Sequence, residues 1–188
     1  MKKTGKISKE ELIYKAHKDK EKHVMDLKLR ERGMWVHYLF QSLLATFSIF
    51  LVLLVLQLAT PVIVAALGAT AFVCFAMPKN ITAQPRNVVG GHMVGVLSGG
   101  VCALLFISFG GDSTFIHIIF ASLSVGVTIF IMVVTDTEHP PGCSTALGLV
   151  VHPAVPLDVA LYGGFILISA SIIAFVKHAL DPKLKDLV

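Results

Sequence analysis

Between Arg86 and Lys177 the chain has no lysine or arginine, and over its whole length only 15% of residues are charged. Soluble domains carry about a quarter of their residues as charge, so an ordinary water-exposed surface is excluded over this stretch. Cysteine is scarce as well. Cys74, Cys102 and Cys143 stand at unrelated spacings, two of them inside apolar runs, which excludes a disulfide framework and reads as small buried hydrophobes. A nucleophile motif, a P-loop and a dinucleotide fingerprint are all missing; neither enzyme activity nor a cofactor is expected. The start lacks the short basic stretch and small-residue cleavage site of a signal peptide, because the first apolar run follows a long charged segment, and the N-terminus is expected to be retained.

What is present is hydrocarbon. Of 188 residues, 55% are apolar, and the mean hydropathy is +0.77. Crossing a bilayer core takes about 20 apolar residues. Leu39–Leu58, Gly91–Phe109, Phe115–Val134 and Leu157–Val176 approach or reach that length, and Pro61–Met77 is a shorter candidate. The expected fold class is all-α, a polytopic transmembrane bundle of five or six apolar segments. Eleven of the sixteen basic residues precede Met34, Lys79 and Arg86 mark one turn, and Lys177, Lys183 and Lys185 lie near the end. By the positive-inside rule the N-terminus, the Lys79–Arg86 turn and the tail face the cytoplasm, in an inner-membrane protein, with the loops around Asp112 and Asp158 outside.

Three regions follow: a basic extramembrane arm over 1–33, a transmembrane domain over 34–178 and a short tail over 179–188. In the arm, Ser8-Lys9-Glu10-Glu11 forms a capping box for a helix running to about Arg30, with Ile13, Ala16, Val24 and Leu27 toward the membrane. It reads either as an amphipathic arm drawn to membrane lipids or as a solvated polar tail. Nucleic acid is not an expected partner, because six acidic residues are mixed with the basic ones and Gly33, Trp35 and Tyr38 lead straight into the bilayer.

Polar turns punctuate the membrane domain. Thr60-Pro61 marks a tight return, Met77-Pro78 ends the next helix, and Gly110-Gly111-Asp112 turns the one after. Pro141 to Val151 yields only about 16 Å of helix at 1.5 Å per residue, short for a crossing; a short crossing is preferred to a re-entrant turn, which would put the Lys-rich tail outside. Thr82–Pro85 (T-A-Q-P) and Thr137–Pro140 (T-E-H-P) each follow an apolar helix and precede a small-residue helix, a weak repeat with an offset of 55. Such a repeat would bring both polar turns to one side of the membrane, meeting about a pseudo-two-fold axis.

The first turn offers Lys79, Gln84, Arg86 and Asn87 beside a helix N-terminus, a set suited to a small inorganic anion. Equally, Lys79 and Arg86 can simply mark the headgroup boundary. The second turn adds the helix start at Pro140-Pro141 with the Ser144 and Thr145 hydroxyls. Asp136, Glu138 and His139 allow three readings: a protonatable switch, a divalent metal site with Cys143 or His92, or charge pairs with Arg86 and Lys79 that lock the turns together. The spacing matches no established metal site. Of the lone histidines His92, His117 and His152, His92 stands out because it lies two turns or less above Arg86.

Ala83–His92 (A-Q-P-R-N-V-V-G-G-H), Glu138–Gly142 (E-H-P-P-G) and Thr145–Leu147 (T-A-L) together resemble the HPP family of integral membrane proteins over about residues 34–178. The resemblance implies a compact helical membrane domain described as having four spans and, in chloroplast and cyanobacterial members, a link to nitrite transport. It places Gln84, Pro85, Arg86, Asn87, Gly90, Gly91 and His92 in a first motif and His139, Pro140, Pro141 and Gly142 in a second. Cys143 and Ser144 depart from the Gly or Ala that commonly follows. The expected function is small-anion transport, nitrite through the resemblance alone. Gln84, Arg86, Asn87, His92, Ser144 and Thr145 would bind, Asp136, Glu138 and His139 would gate or couple protons, and the prolines and glycines would pack. The alternative is a non-transporting scaffold or sensor whose motifs fasten helices. A single protomer is small for enclosing a pathway, which is compatible with a homo-oligomer.

Overall fold

Among the described residues, four of the six α-helices begin on a proline, where the missing N–H is one that a helix start leaves unbonded anyway. The computed structural model describes residues 34–51, 61–109, 113–152 and 155–187. The basic arm, with its capping box, and the Gly110–Asp112 turn lie outside the described residues, as does Thr60. In chain order the helices are α1 (Met34–Leu51), α2 (Pro61–Ala76), α3 (Pro85–Ser108), α4 (Thr114–Val134), α5 (Pro141–Val151) and α6 (Pro156–Leu180). Of these, α1, α3, α4 and α6 are long and apolar enough to cross a membrane, and α2 and α5 are shorter. Two compact units are defined, Met1–Leu39 and Phe40–Val188, and the packing described below is within the second.

α3 is the central helix, the most buried of the long four, with α4, α5 and α6 against it. Its glycines recur every four residues, so Gly91, Gly95 and Gly99 share one face. That face meets α5 at backbone distance: a Cβ at Gly99 would lie 2.6 Å from the Ala146 Cα, and one at Gly95 would fall on the Gly142 carbonyl oxygen. Because Gly95 meets Gly142 and Gly99 meets Ala146, α3 and α5 run parallel. α6 runs back against α3, with Val159 beside Gly100 and Val96 beside Gly163. α6 therefore returns antiparallel to both α3 and the short α5. The last turn of α5 is closed by His117, whose Nε2–H donates to the Val150 carbonyl at 2.8 Å while the ring stacks on Phe106.

The apolar core has two parts. Leu67, Ala71, Cys74 and Phe75 of α2 pack with Val88 and with Ile166, Ala170, Ile173 and Ala174 of α6. Cys102, Ala103, Val150 and Val159 form the second cluster. Buried hydroxyls find acceptors within their own helices, as a low-dielectric setting demands: Ser48 donates to Leu44, Ser98 to Val94 and Thr128 to Ser124.

The tail folds back on the end of α2. Leu184 is buried in the first cluster, Leu187 N–H donates to the Ala76 carbonyl at 2.9 Å, and the Gln41 amide bonds to the Phe75 and Lys185 carbonyls. Lys79 is tied to this tail rather than to the second turn. Its ammonium lies 3.3 Å from Asp181 and its backbone N–H donates to Asp186. Asp181 also pairs with the buried Lys177 at 3.3 Å, which explains why α6 continues through a lysine where the apolar run stops.

Candidate functional site

The Asn80 side chain starts the site. Its oxygen accepts from the Thr82 N–H at 3.0 Å and the Thr82 hydroxyl at 3.1 Å, winding Ile81–Ala83 into a 3-10 turn that ends at Gln84, the N-cap of α3. This turn leaves the Thr82 carbonyl facing inward. On the other side, α4 is stopped by Asp136, whose φ of 51° is left-handed, and Thr137 N–H bonds back to the Met132 carbonyl at 3.0 Å. That is a Schellman-type ending, and aspartate is among the few non-glycine residues that tolerate it. Asp136 thus has a backbone task, and its side chain is exposed.

The two turns meet, and glycine is what lets them. A Cβ at Gly91 would sit 2.5 Å from the His139 Cβ, one at Gly90 would lie 2.8 Å from Thr137 Cγ2, and one at Gly142 would fall on the Gly91 carbonyl. The Asn87 amide reaches the Glu138 carbonyl at 3.4 Å. At the surface, the Arg86 guanidinium donates to the Thr135 carbonyl at 3.1 Å.

Inside lies a continuous polar chain. His139 Nδ1 bonds the Thr82 carbonyl at 2.8 Å, and its Nε2 lies 3.1 Å from the Thr70 hydroxyl. That hydroxyl is 2.8 Å from His92 Nε2, and His92 Nδ1 is 2.8 Å from the Thr145 hydroxyl. The ring centroids of His92 and His139 are 5.0 Å apart. Thr70, His92, His139 and Thr145 are all fully buried. Five pieces of chain are joined in this way: α2, the 3-10 turn, α3, the α4–α5 turn and α5.

Of the residues expected at the site, Asn87, His92, His139 and Thr145 come together, with Glu138 contributing its backbone carbonyl. Gln84 caps α3 without a side-chain bond to it, and Ser144 is half-buried outside the chain. Of the three readings of the second turn, the charge lock is not what forms: among the described residues neither Asp136 nor Glu138 pairs with Arg86 or Lys79, whose partners are the Thr135 carbonyl and the tail. The start of α5 is also less open than its two prolines imply, since Gly142 and Cys143 N–H already donate to the His139 and Pro140 carbonyls. Sequence reasoning missed Thr70. The available signal was its standing as the sole hydroxyl in an otherwise apolar α2.

His139 lies in the turn outside the spanning helices, and burial pushes its imidazole down to about 4, against the opposing pull of the Thr82 carbonyl. The folded state then binds fewer protons than the unfolded state between about pH 4 and 6.5, so stability falls as pH drops through that window. Thermal unfolding in detergent is expected to move to lower temperature from pH 7 to pH 5, with a shallower slope in His139→Asn. A wild-type midpoint that does not move with pH would contradict the assignment.

A family model described as "HPP, transmembrane region" matches residues 30–182. Two proteins of Dictyostelium discoideum known as transmembrane proteins are similar in part. One is 31% identical over 86 residues, 46% of this chain and 29% of its own length; the other is 34% identical over 80 residues, 43% and 24%. The chain therefore aligns with less than a third of either relative. No solved structure matches it significantly.

Proposed function

We propose, for a chain that belongs to the HPP family of multi-pass membrane proteins, a role in moving a small inorganic anion across the membrane, with nitrite the favoured substrate through the family resemblance alone. One observation carries this reading: the exposed Arg86 guanidinium stands at the junction of the two motifs, above a buried chain of hydroxyls and imidazoles running into the bundle beside its most buried helix. Polar groups at such depth are expensive in hydrocarbon and are characteristic of pathways. Arg86 supplies the charge that draws an anion in, Asn87 adds an amide at the same level, and the neutral chain makes the interior polar without trapping the ion by a fixed countercharge. In this proposal the Arg86 end faces the cytoplasm of an inner-membrane protein, because Lys79, Lys177 and Lys183 lie toward it. Lipid contact and self-association are part of the proposal, and no covalent chemistry is assigned to the site.

The scaffold reading also has an observation in its favour, the saturation of the histidine hydrogen bonds by partners on two helices and the 3-10 turn. Uptake of nitrite, nitrate, formate and chloride into proteoliposomes separates the two. Arg86→Gln is expected to fold and to lower nitrite uptake about tenfold or more, the equivalent of losing one charge-assisted hydrogen bond of about 1.5–3 kcal/mol. No flux of any of these ions with folded wild-type protein would leave the scaffold reading standing.

A further inference from the structure

We propose that Thr70 is a positioning residue that holds the two motif histidines in opposite neutral tautomers, His139 with its proton on Nδ1 and His92 with its proton on Nε2. The inference does not rest on the transport reading, because tautomers are observed without any flux. Its starting point is the Thr82 carbonyl, which can only accept. His139 Nδ1, at 2.8 Å from it, must carry a proton. The ring is fully buried, and among the described residues no carboxylate pairs with it. A neutral ring with Nδ1–H has a bare Nε2, and the Thr70 hydroxyl at 3.1 Å is the group that donates to it.

That donation commits the single proton of Thr70, drawing it away from the Ala66 carbonyl at 3.0 Å. Toward His92 the same oxygen can then only accept, so His92 Nε2 at 2.8 Å carries the hydrogen. His92 Nδ1 is left bare and accepts from the Thr145 hydroxyl at 2.8 Å, in preference to that hydroxyl's poorer bond to the Pro141 carbonyl at 3.4 Å. Each bond in the chain then holds one proton, and all the bonds point the same way, from α5 to the 3-10 turn. Such alignment strengthens each member of the chain. Because it ends on a carbonyl, the chain orients the rings and does not relay a proton past Thr82.

Nitrogen-15 solid-state NMR of histidine-labelled protein in lipid bilayers, with ring signals assigned from the backbone, reads both tautomers directly. Wild-type protein and Thr70→Ser are expected to show Nδ1–H at His139 and Nε2–H at His92. Thr70→Val keeps the shape but removes the hydroxyl. His92 is then expected to move its proton to Nδ1 and donate to Thr145, giving both rings the same tautomer. Like tautomers in the wild type, or opposite ones persisting in Thr70→Val, would overturn the proposal. Should Thr70→Val not fold, the wild-type and Thr70→Ser spectra still decide, since a protonated His139 or a shared tautomer in either contradicts it.

Discussion

Gly95→Ala is expected to destabilise the folded protein by about 3 kcal/mol or to prevent its folding, whereas Gly126→Ala changes stability by no more than about 1 kcal/mol. At Gly95 the new methyl falls on the Gly142 carbonyl oxygen, and at the neighbouring Gly99 it would lie 2.7 Å from the Ala146 carbonyl oxygen. These obstacles are backbone atoms of α5, which cannot rotate away as a side chain can. Relief therefore requires α3 and α5 to part, which breaks the His92–Thr145 bond between them. Helix association in lipid depends on this kind of close packing, because hydrocarbon offers no hydrophobic drive between helices. Gly126 on α4 has no heavy atom within 4 Å of its added Cβ, so it controls for helix propensity alone. Folded yield and thermal unfolding in micelles compare the two variants; a Gly95→Ala protein as stable as its parent would mean that the helices are not in backbone contact.

His139→Leu is expected to cost about 3 kcal/mol. Leucine fills most of the volume but leaves the part-buried Thr82 carbonyl without its donor, and an orphaned group of this kind costs about 1–3 kcal/mol. The remainder comes from the loss of the bond to Thr70 and from a branched side chain pressed on Gly91. His139→Asn is expected to recover part of the loss, since its amide N–H can take the place of Nδ1–H. Combining His139→Leu with Thr70→Val should cost less than the sum of the single changes, by about 0.5–2 kcal/mol, because both act on one chain. Additive costs in a double-mutant cycle would show that Thr70 and His139 are not coupled. Asp136→Gly is the contrasting case: the left-handed φ of 51° suits glycine, so little stability is lost despite the removed carboxylate.

Helix placement was legible because its causes are local. The apolar run Phe115–Val134 became Thr114–Val134, and Pro61–Met77 became Pro61–Ala76. Hydropathy misplaced a helix end where a polar residue in the helix finds a partner. α3 starts six residues before the apolar run at Gly91, taking in Arg86 and Asn87, whose side chains reach carbonyls of the second turn. α6 passes through Lys177 because Asp181 pairs with it. The meeting of the two motifs could also be anticipated from their matched order, but the manner of the meeting could not. Opposite charges suggested ion pairs, and the structure joins the turns through glycine contacts and neutral hydrogen bonds.

By itself, then, the sequence determined an all-α membrane bundle, the proline starts of its helices and the pairing of two polar turns, since helix length, hydropathy and proline geometry act within a few residues. Only the tertiary structure decided which atoms meet. His92 and His139 share a hydroxyl 22 and 69 residues away along the chain, on a helix that carries neither motif, and no local pattern encodes a hydrogen bond that exists only after three helices have packed.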